Sequence, residues 1–306
     1  MTRDACFART KAKGGNSVLS EDQISFYREH GYLALPGYLA DIVADANAEI
    51  ERLCKPASTM DTSDDLLDLE DSHTRDDPRV RRVKRPDLQS EFFRNLLLSD
   101  RILDIGRSLI GPDLRLHTTK LNMKRAQYGA PIQWHQDFAF YPHTNSDVLA
   151  IGIVFDDVGI ENGPLQVIPG SHRGPILDHH ADGYFAGSCT LDGSKYTSDD
   201  AVTLTGPAGT VTVHHAHTLH ASALNTSNRD RRMLFYEMMA ADAWPVQGAM
   251  TQFTTLEDYN TRMLCGEPTI EPRCEPVAMR LPIPQPPDTG SIYTIQKQRA
   301  QASLPN

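Results

Sequence analysis

Hydrophobic positions recur at helical spacing through the first third of the chain and at alternate or consecutive positions beyond it. Ser20-Glu21-Asp22-Gln23 is a capping box, and the helix behind it runs through Ile24, Phe26, Tyr27 and His30 to a stop at Gly31. Tyr32 to Leu35 reads as a short strand ended by Pro36-Gly37. A second helix, roughly 40–54, carries Ile42, Val43, Ala46, Ile50 and Leu53 on one side. A helical pair over about 87–98 and 100–109 shares an apolar face that includes Phe93, Leu96, Ile102, Ile105 and Leu109, and Gly111-Pro112 closes it. From about 114 the period changes. Leu114-Arg115-Leu116-His117 and Lys120 to Lys124 alternate, and Val148 to Phe155 is a continuous apolar run suited to a strand buried on both faces. Leu165 to Ile168 leads into the turn Pro169-Gly170-Ser171, Thr210 to His214 alternates, and Arg232 to Met239 is mostly apolar. Short strands separated by Gly/Pro turns, with helices in front, predict a mainly β protein with an α-helical buttress: a sandwich or barrel.

The segments between these elements divide the chain. Residues 1–18 read as a flexible N-terminal arm, 19–265 as a single domain with helices over 20–110 and a β core over about 114–240, and 266–306 as a proline-rich tail wrapping the surface. Residues 55–78 are polar and acidic without a period and read as a loop. The basic run Arg79 to Arg85 has two readings: a solvated edge strand, or an element that meets an anionic group as the 55–86 loop closes over a substrate. The net charge of −10 argues against nucleic acid or an anionic membrane as partner. Five cysteines without a CxxC pair suggest reduced thiols and a cytoplasmic protein, and neither a signal peptide nor a membrane span is expected. Oligomeric state is not encoded in any pattern found.

The candidate chemistry centres on Gln133-Trp134-His135-Gln136-Asp137-Phe138. In extended chain, residues two apart share a face, so His135 and Asp137 would point together while Gln136 turns away. An imidazole beside a carboxylate is part of a metal site, and one more histidine would complete the two-histidine, one-carboxylate set of non-haem iron oxygenases. The cluster His214-His215-Ala216-His217-Thr218-Leu219-His220 offers four candidates, and spacing alone leaves them open.

The chain from about 19 to 240 resembles the phytanoyl-CoA dioxygenase family of Fe(II)/2-oxoglutarate enzymes. The resemblance rests on four segments in order: LSEDQISFYREHGYLALPGYL, WHQDF, NGPLQVIPGSHRGP and GTVTVHHAHTLHASALNTSNRDRR. It implies a double-stranded β-helix, a cupin-like jelly roll. It places the distal iron ligand at His220 and the 2-oxoglutarate arginine at Arg231, with Arg229 and Arg232 as neighbours to exclude. It adds Ser222 and Asn122 as further 2-oxoglutarate contacts, and Gly163, Pro169 and Gly170 remain turn formers.

The resemblance also implies Fe(II), 2-oxoglutarate and O2 as reactants, a small-molecule substrate oxidised at a C–H bond, and succinate and CO2 as products. Asp137 favours hydroxylation, or a related desaturation, cyclisation or epimerisation, over halogenation, since halogenating relatives lack that carboxylate. A zinc hydrolase and a non-catalytic cupin-like module are the rival readings. The segments at about 55–86 and 176–200 are expected to decide the substrate.

Overall fold

The computed structural model describes residues 18–247, 253–287, 292, 293, 295 and 296. The expected arm lies, up to Ser17, outside the described residues, and Val18 and Leu19 already pack on the core. Helix α1 (Glu21–His30) begins at the Ser20/Gln23 capping box and ends at Gly31, whose φ of 77° is the left-handed conformation that favours glycine. Strand β1 (Tyr32–Leu35) follows, then α2 (Val43–Cys54), α3 (Pro86–Gln89), α4 (Glu91–Leu97) and α5 (Asp100–Ile110). Between α2 and α3 lie two short strands, β2 (Leu67–Leu69) and β3 (Val80–Lys84). The remaining strands are β4 (Leu114–Lys124), β5 (Ile132–His135), β6 (Val148–Val154), β7 (Leu165–Val167), β8 (His180–Ala181), β9 (Tyr184–Phe185), β10 (Val202–Leu204), β11 (Val211–His215), β12 (His220–Ser222), β13 (Arg231–Ala240) and β14 (Met263–Cys265); a short helix, α6 (Leu256–Asn260), precedes the last.

Two antiparallel sheets form the double-stranded β-helix. The larger runs β1-β11-β6-β13-β4-β3-β2 with β14 also on β4, and the smaller runs β10-β7-β12-β5. From β4 to β7 each strand crosses to the other sheet, and β11, β12 and β13 do so again, which wraps both sheets around one interior. On β13 the alternation assigns the faces. Leu234, Tyr236 and Met238 join the helix-side core with Phe93, Ile102 and Ile105, and Met233 and Phe235 join Leu165, Val167 and Leu204 between the sheets. The helices therefore cover the outside of the large sheet and leave the interior of the roll to the site.

Four expectations need correction. Residues 55–78 are not all loop, for β2 lies within them. The basic run is not an edge strand, because β3 is paired on both sides, with β2 and with β4, and β2 forms the edge. This also removes the mobile 55–86 lid: its basic half is fixed in the sheet by ladder hydrogen bonds. The two segments at 114–117 and 120–124 are one strand, interrupted in pattern by a register shift. Glu237 pairs with Thr118 and Met238 with Leu116, so His117 is an extra residue and the alternation changes phase there. No described helix is long and apolar enough to cross a membrane. Cys54, Cys189, Cys265 and Cys274 are free thiols, and Cys6 falls outside the described residues.

Candidate metal centre

Strands β5 and β12 are neighbours in the small sheet, and His135 and His220 stand directly opposite each other in their ladder. Their rings lie 4.0 Å apart. The strand ends at His135; Gln136 continues extended, and Asp137 opens a 3-10 turn to Ala139. Gln136 turns away, as expected, and is held by its side chain: Nε2 donates to the carbonyls of His217 (2.8 Å) and Pro175 (3.1 Å), and Oε1 accepts from Leu177 N (2.8 Å). With that residue pinned, Asp137 Oδ1 comes within 3.8 Å of Nε2 of both histidines. The ligand atoms of the three side chains lie within 4.8 Å of one another, and this is the one such group among the described residues.

The tautomers follow from the neighbours. His135 Nδ1 faces the Gln133 carbonyl at 2.8 Å and His220 Nδ1 faces the Thr218 carbonyl at 2.9 Å. A carbonyl only accepts, so each Nδ1 carries the proton and each Nε2 presents a lone pair to the carboxylate. Burial pushes the His135 imidazole down to about 4 and the His220 imidazole well below its ordinary value, so both rings are neutral. Burial alone would raise Asp137, and the hydrogen bond from His214 opposes that and holds its carboxyl below the usual range. That bond runs from His214 Nε2 to Oδ2 at 3.1 Å, leaving Oδ1 for the shared centre. Three buried acceptors without a donor between them are unfavourable unless a cation joins them. The chemistry of this donor set fits Fe(II).

His215 and His217 do not join the group. His217 packs on Phe138 at 4.2 Å, and His215 Nδ1 accepts from His217 N. His214 and His179 were missed by sequence reasoning as parts of the support; His179 Nε2 accepts from Gln136 N. Neither carries a sequence signal, because each reaches the site from a different strand or loop.

A cavity opens on the centre between the sheets. Arg231, on β13, lines it two residues before Met233, as do Ser222 and Asn122. Arg229 pairs with Glu161 at 2.6 Å on the surface and Arg232 with Asp156 at 2.5 Å on the other face of β13, so only Arg231 enters. Its guanidinium is buried, has Met233 Sδ 3.1 Å from Nη1, and has no ion-pair partner among the described residues. Ser222 Oγ is buried without a hydrogen-bond partner among the described residues, and Asn122 Oδ1 accepts from Arg82 Nε at 2.9 Å. A buried, unpaired cation beside an unsatisfied hydroxyl suits a carboxylate ligand. The described end of the tail borders this cavity. Ile292 and Tyr293 line it, and Gln296 accepts from Gln133 N (2.9 Å) and donates to the Gly187 carbonyl (2.7 Å).

The phytanoyl-CoA dioxygenase (PhyH) family profile matches residues 27–233, more than half of the chain. The chain belongs to the phytanoyl-CoA dioxygenase family. Among relatives of this dioxygenase, a probable alpha-ketoglutarate-dependent hypophosphite dioxygenase from Stutzerimonas stutzeri is 35% identical over 279 residues, 90% of this chain and 95% of that protein. An L-proline trans-4-hydroxylase from Streptomyces griseoviridis is 34% identical over 167 residues, 47% of this chain and 61% of that one. The fold of EctD from S. alaskensis, solved with bound Fe, is similar with a TM-score of 0.65 at 22% identity, covering 90% of this chain and 92% of that chain. The protein is thus an Fe(II)- and 2-oxoglutarate-dependent dioxygenase acting on a small molecule. The zinc-hydrolase and non-catalytic readings are set aside with that membership.

Proposed function

We propose that His135, Asp137 and His220 hold the Fe(II) of this dioxygenase, and that Arg231, with Ser222 and Asn122, receives 2-oxoglutarate. The observation that carries the reading is the convergence of three buried acceptors, with both imidazoles oriented by backbone carbonyls. Bound Fe(II) with 2-oxoglutarate and O2 would supply the oxidising chemistry, 2-oxoglutarate giving succinate and CO2 and a substrate C–H becoming C–OH. The chain's own residues supply position and dryness. His214 fixes the second oxygen of Asp137. Ile132, Leu165, Met233 and Phe235 exclude water from the cavity. Arg231 meets the far carboxylate of the diacid with a planar fork. Because Asp137 retains its carboxylate, hydroxylation is the outcome we assign. Residues 19–265 carry the metal and 2-oxoglutarate ligands, with Ile292 and Tyr293 of the tail completing the cavity wall, and the free thiols support a cytoplasmic setting.

The test is succinate formation from 2-oxoglutarate by purified protein with added Fe(II), together with bound iron measured on each variant. His135→Ala, Asp137→Ala and His220→Ala each lose turnover and iron, whereas His215→Ala and His217→Ala keep both. Parent activity in His220→Ala overturns the ligand assignment.

A further inference from the structure

A second pocket, about 290 Å³, adjoins the centre at Asp137. We infer that it binds a small organophosphorus oxyanion, a phosphonate, as the primary substrate, with the charged head on Arg82 and Arg85 and the oxidisable bond toward Asp137. The inference rests on the iron and 2-oxoglutarate reading above.

The pocket's charge is the first argument. In a chain of net charge −10, its wall carries Arg82, Lys84, Arg85 and Lys120 against only Asp137 and Glu237. Asp137 belongs to the metal group, and Glu237 is ion-paired with Lys120. Lys84 has Asp68 at 2.8 Å, and Arg85 reaches Asp87 only at 3.4 Å. Arg82 has no carboxylate at ion-pair distance among the described residues; its Nε is spent on Asn122. The β3–β4 ladder supplies the second argument. Lys84 and Lys120 are direct cross-strand partners on one face. Each is answered by its own carboxylate, Lys84 by Asp68 and Lys120 by Glu237, so the ladder sets two cationic side chains in register beside the guanidiniums without a net like-charge cost. The third is backbone strain. Arg85 has φ 48° and ψ 54°, a left-handed conformation that costs a non-glycine residue free energy and gathers at ligand-holding positions. Two guanidiniums side by side exceed what one carboxylate requires and match a tetrahedral dianion. The volume admits a small molecule and little more. That a relative 35% identical is named for hypophosphite agrees with phosphorus chemistry.

The experiment uses the full chain with Fe(II), under anaerobic conditions, so that binding is read without turnover. 2-Oxoglutarate is titrated first by calorimetry, then methylphosphonate is added and its phosphorus NMR line followed, with propionate, L-proline and inorganic phosphate as competitors. Methylphosphonate should broaden and saturate, with propionate and proline weaker by about tenfold or more. On admitting air, succinate should rise above the substrate-free background in step with phosphonate consumed. Arg82→Gln and Arg85→Gln should weaken methylphosphonate by about tenfold or more relative to their effect on 2-oxoglutarate. If 2-oxoglutarate binds but methylphosphonate does not, or if propionate or proline binds more tightly, the substrate class is wrong. Tight phosphate binding with no phosphonate oxidation also overturns it. Failure of 2-oxoglutarate itself to bind overturns the iron reading, and this inference with it.

Discussion

Arg231 is the residue at which cosubstrate affinity should be decided. It is the buried arginine of three near neighbours, and burial pulls its pKa down against the weaker opposing influence of Tyr293 and Asp156. A carboxylate left without it in the dry cavity costs about 3–5 kcal/mol, or about two to four decades in affinity. Arg231→Ala should therefore raise the KM for 2-oxoglutarate steeply while bound iron is kept. Arg231→Lys should fall between, and Arg229→Ala and Arg232→Ala should do little. A steep loss in either neighbour instead would reassign the anchor. Much of the site could be read at this scale. Spacing pairs His135 with Asp137, and the resemblance points to Arg231, which the structure then separates from Arg232 on the two faces of β13. His220 was not separable from His215 and His217 by spacing, because which histidine turns inward depends on a three-residue strand whose partner lies far away in sequence. For the same reason nothing local marked His214 as a partner of Asp137.

At the scale of elements, the site hangs on a short relay from the first helix. The Gly31 carbonyl accepts from His215 N (2.9 Å) and from Thr218 Oγ1 (2.8 Å), and the Thr218 carbonyl orients His220. A Cβ on Gly31 would come within 2.7 Å of Thr218 Oγ1 as well as striking the His172 ring. Gly31→Ala should thus destabilise the protein by about 1–2 kcal/mol from the left-handed backbone alone, seen as a lower urea midpoint, and should also lower bound iron by moving Thr218. A variant with parent stability and parent iron content would dismiss the relay. The helices and the long strands were legible from periodicity, since one buried face imposes it. β2 and β3 were not. Leu67-Asp68-Leu69 is too short for a period to emerge, and without β2 the basic strand next to it looked like an edge. The bulge at His117 hid the continuity of β4 by shifting its phase midway.

For the molecule as a whole, net charge proved a poor guide to the pocket, because an acidic total is compatible with a concentrated cationic wall. The family profile ends at residue 233, yet Tyr293 stacks on Arg81 and Arg82 with centroids 5.0 and 5.5 Å away and covers the cavity that holds Arg231. The tail was expected to wrap the surface; its described end is buried instead, through Tyr293, Ile295 and Gln296. A closure of this kind separates affinity from speed. With Tyr293 seated, 2-oxoglutarate cannot arrive at the rate of diffusion, so association followed by stopped-flow should level off as concentration rises, at the frequency with which the segment lifts. Deleting residues 288–306 should make entry faster and linear in concentration, and make escape faster still, so that affinity falls by about tenfold although the arriving molecule meets fewer obstacles. An unchanged association rate in the shortened chain would mean that the cosubstrate enters by another route.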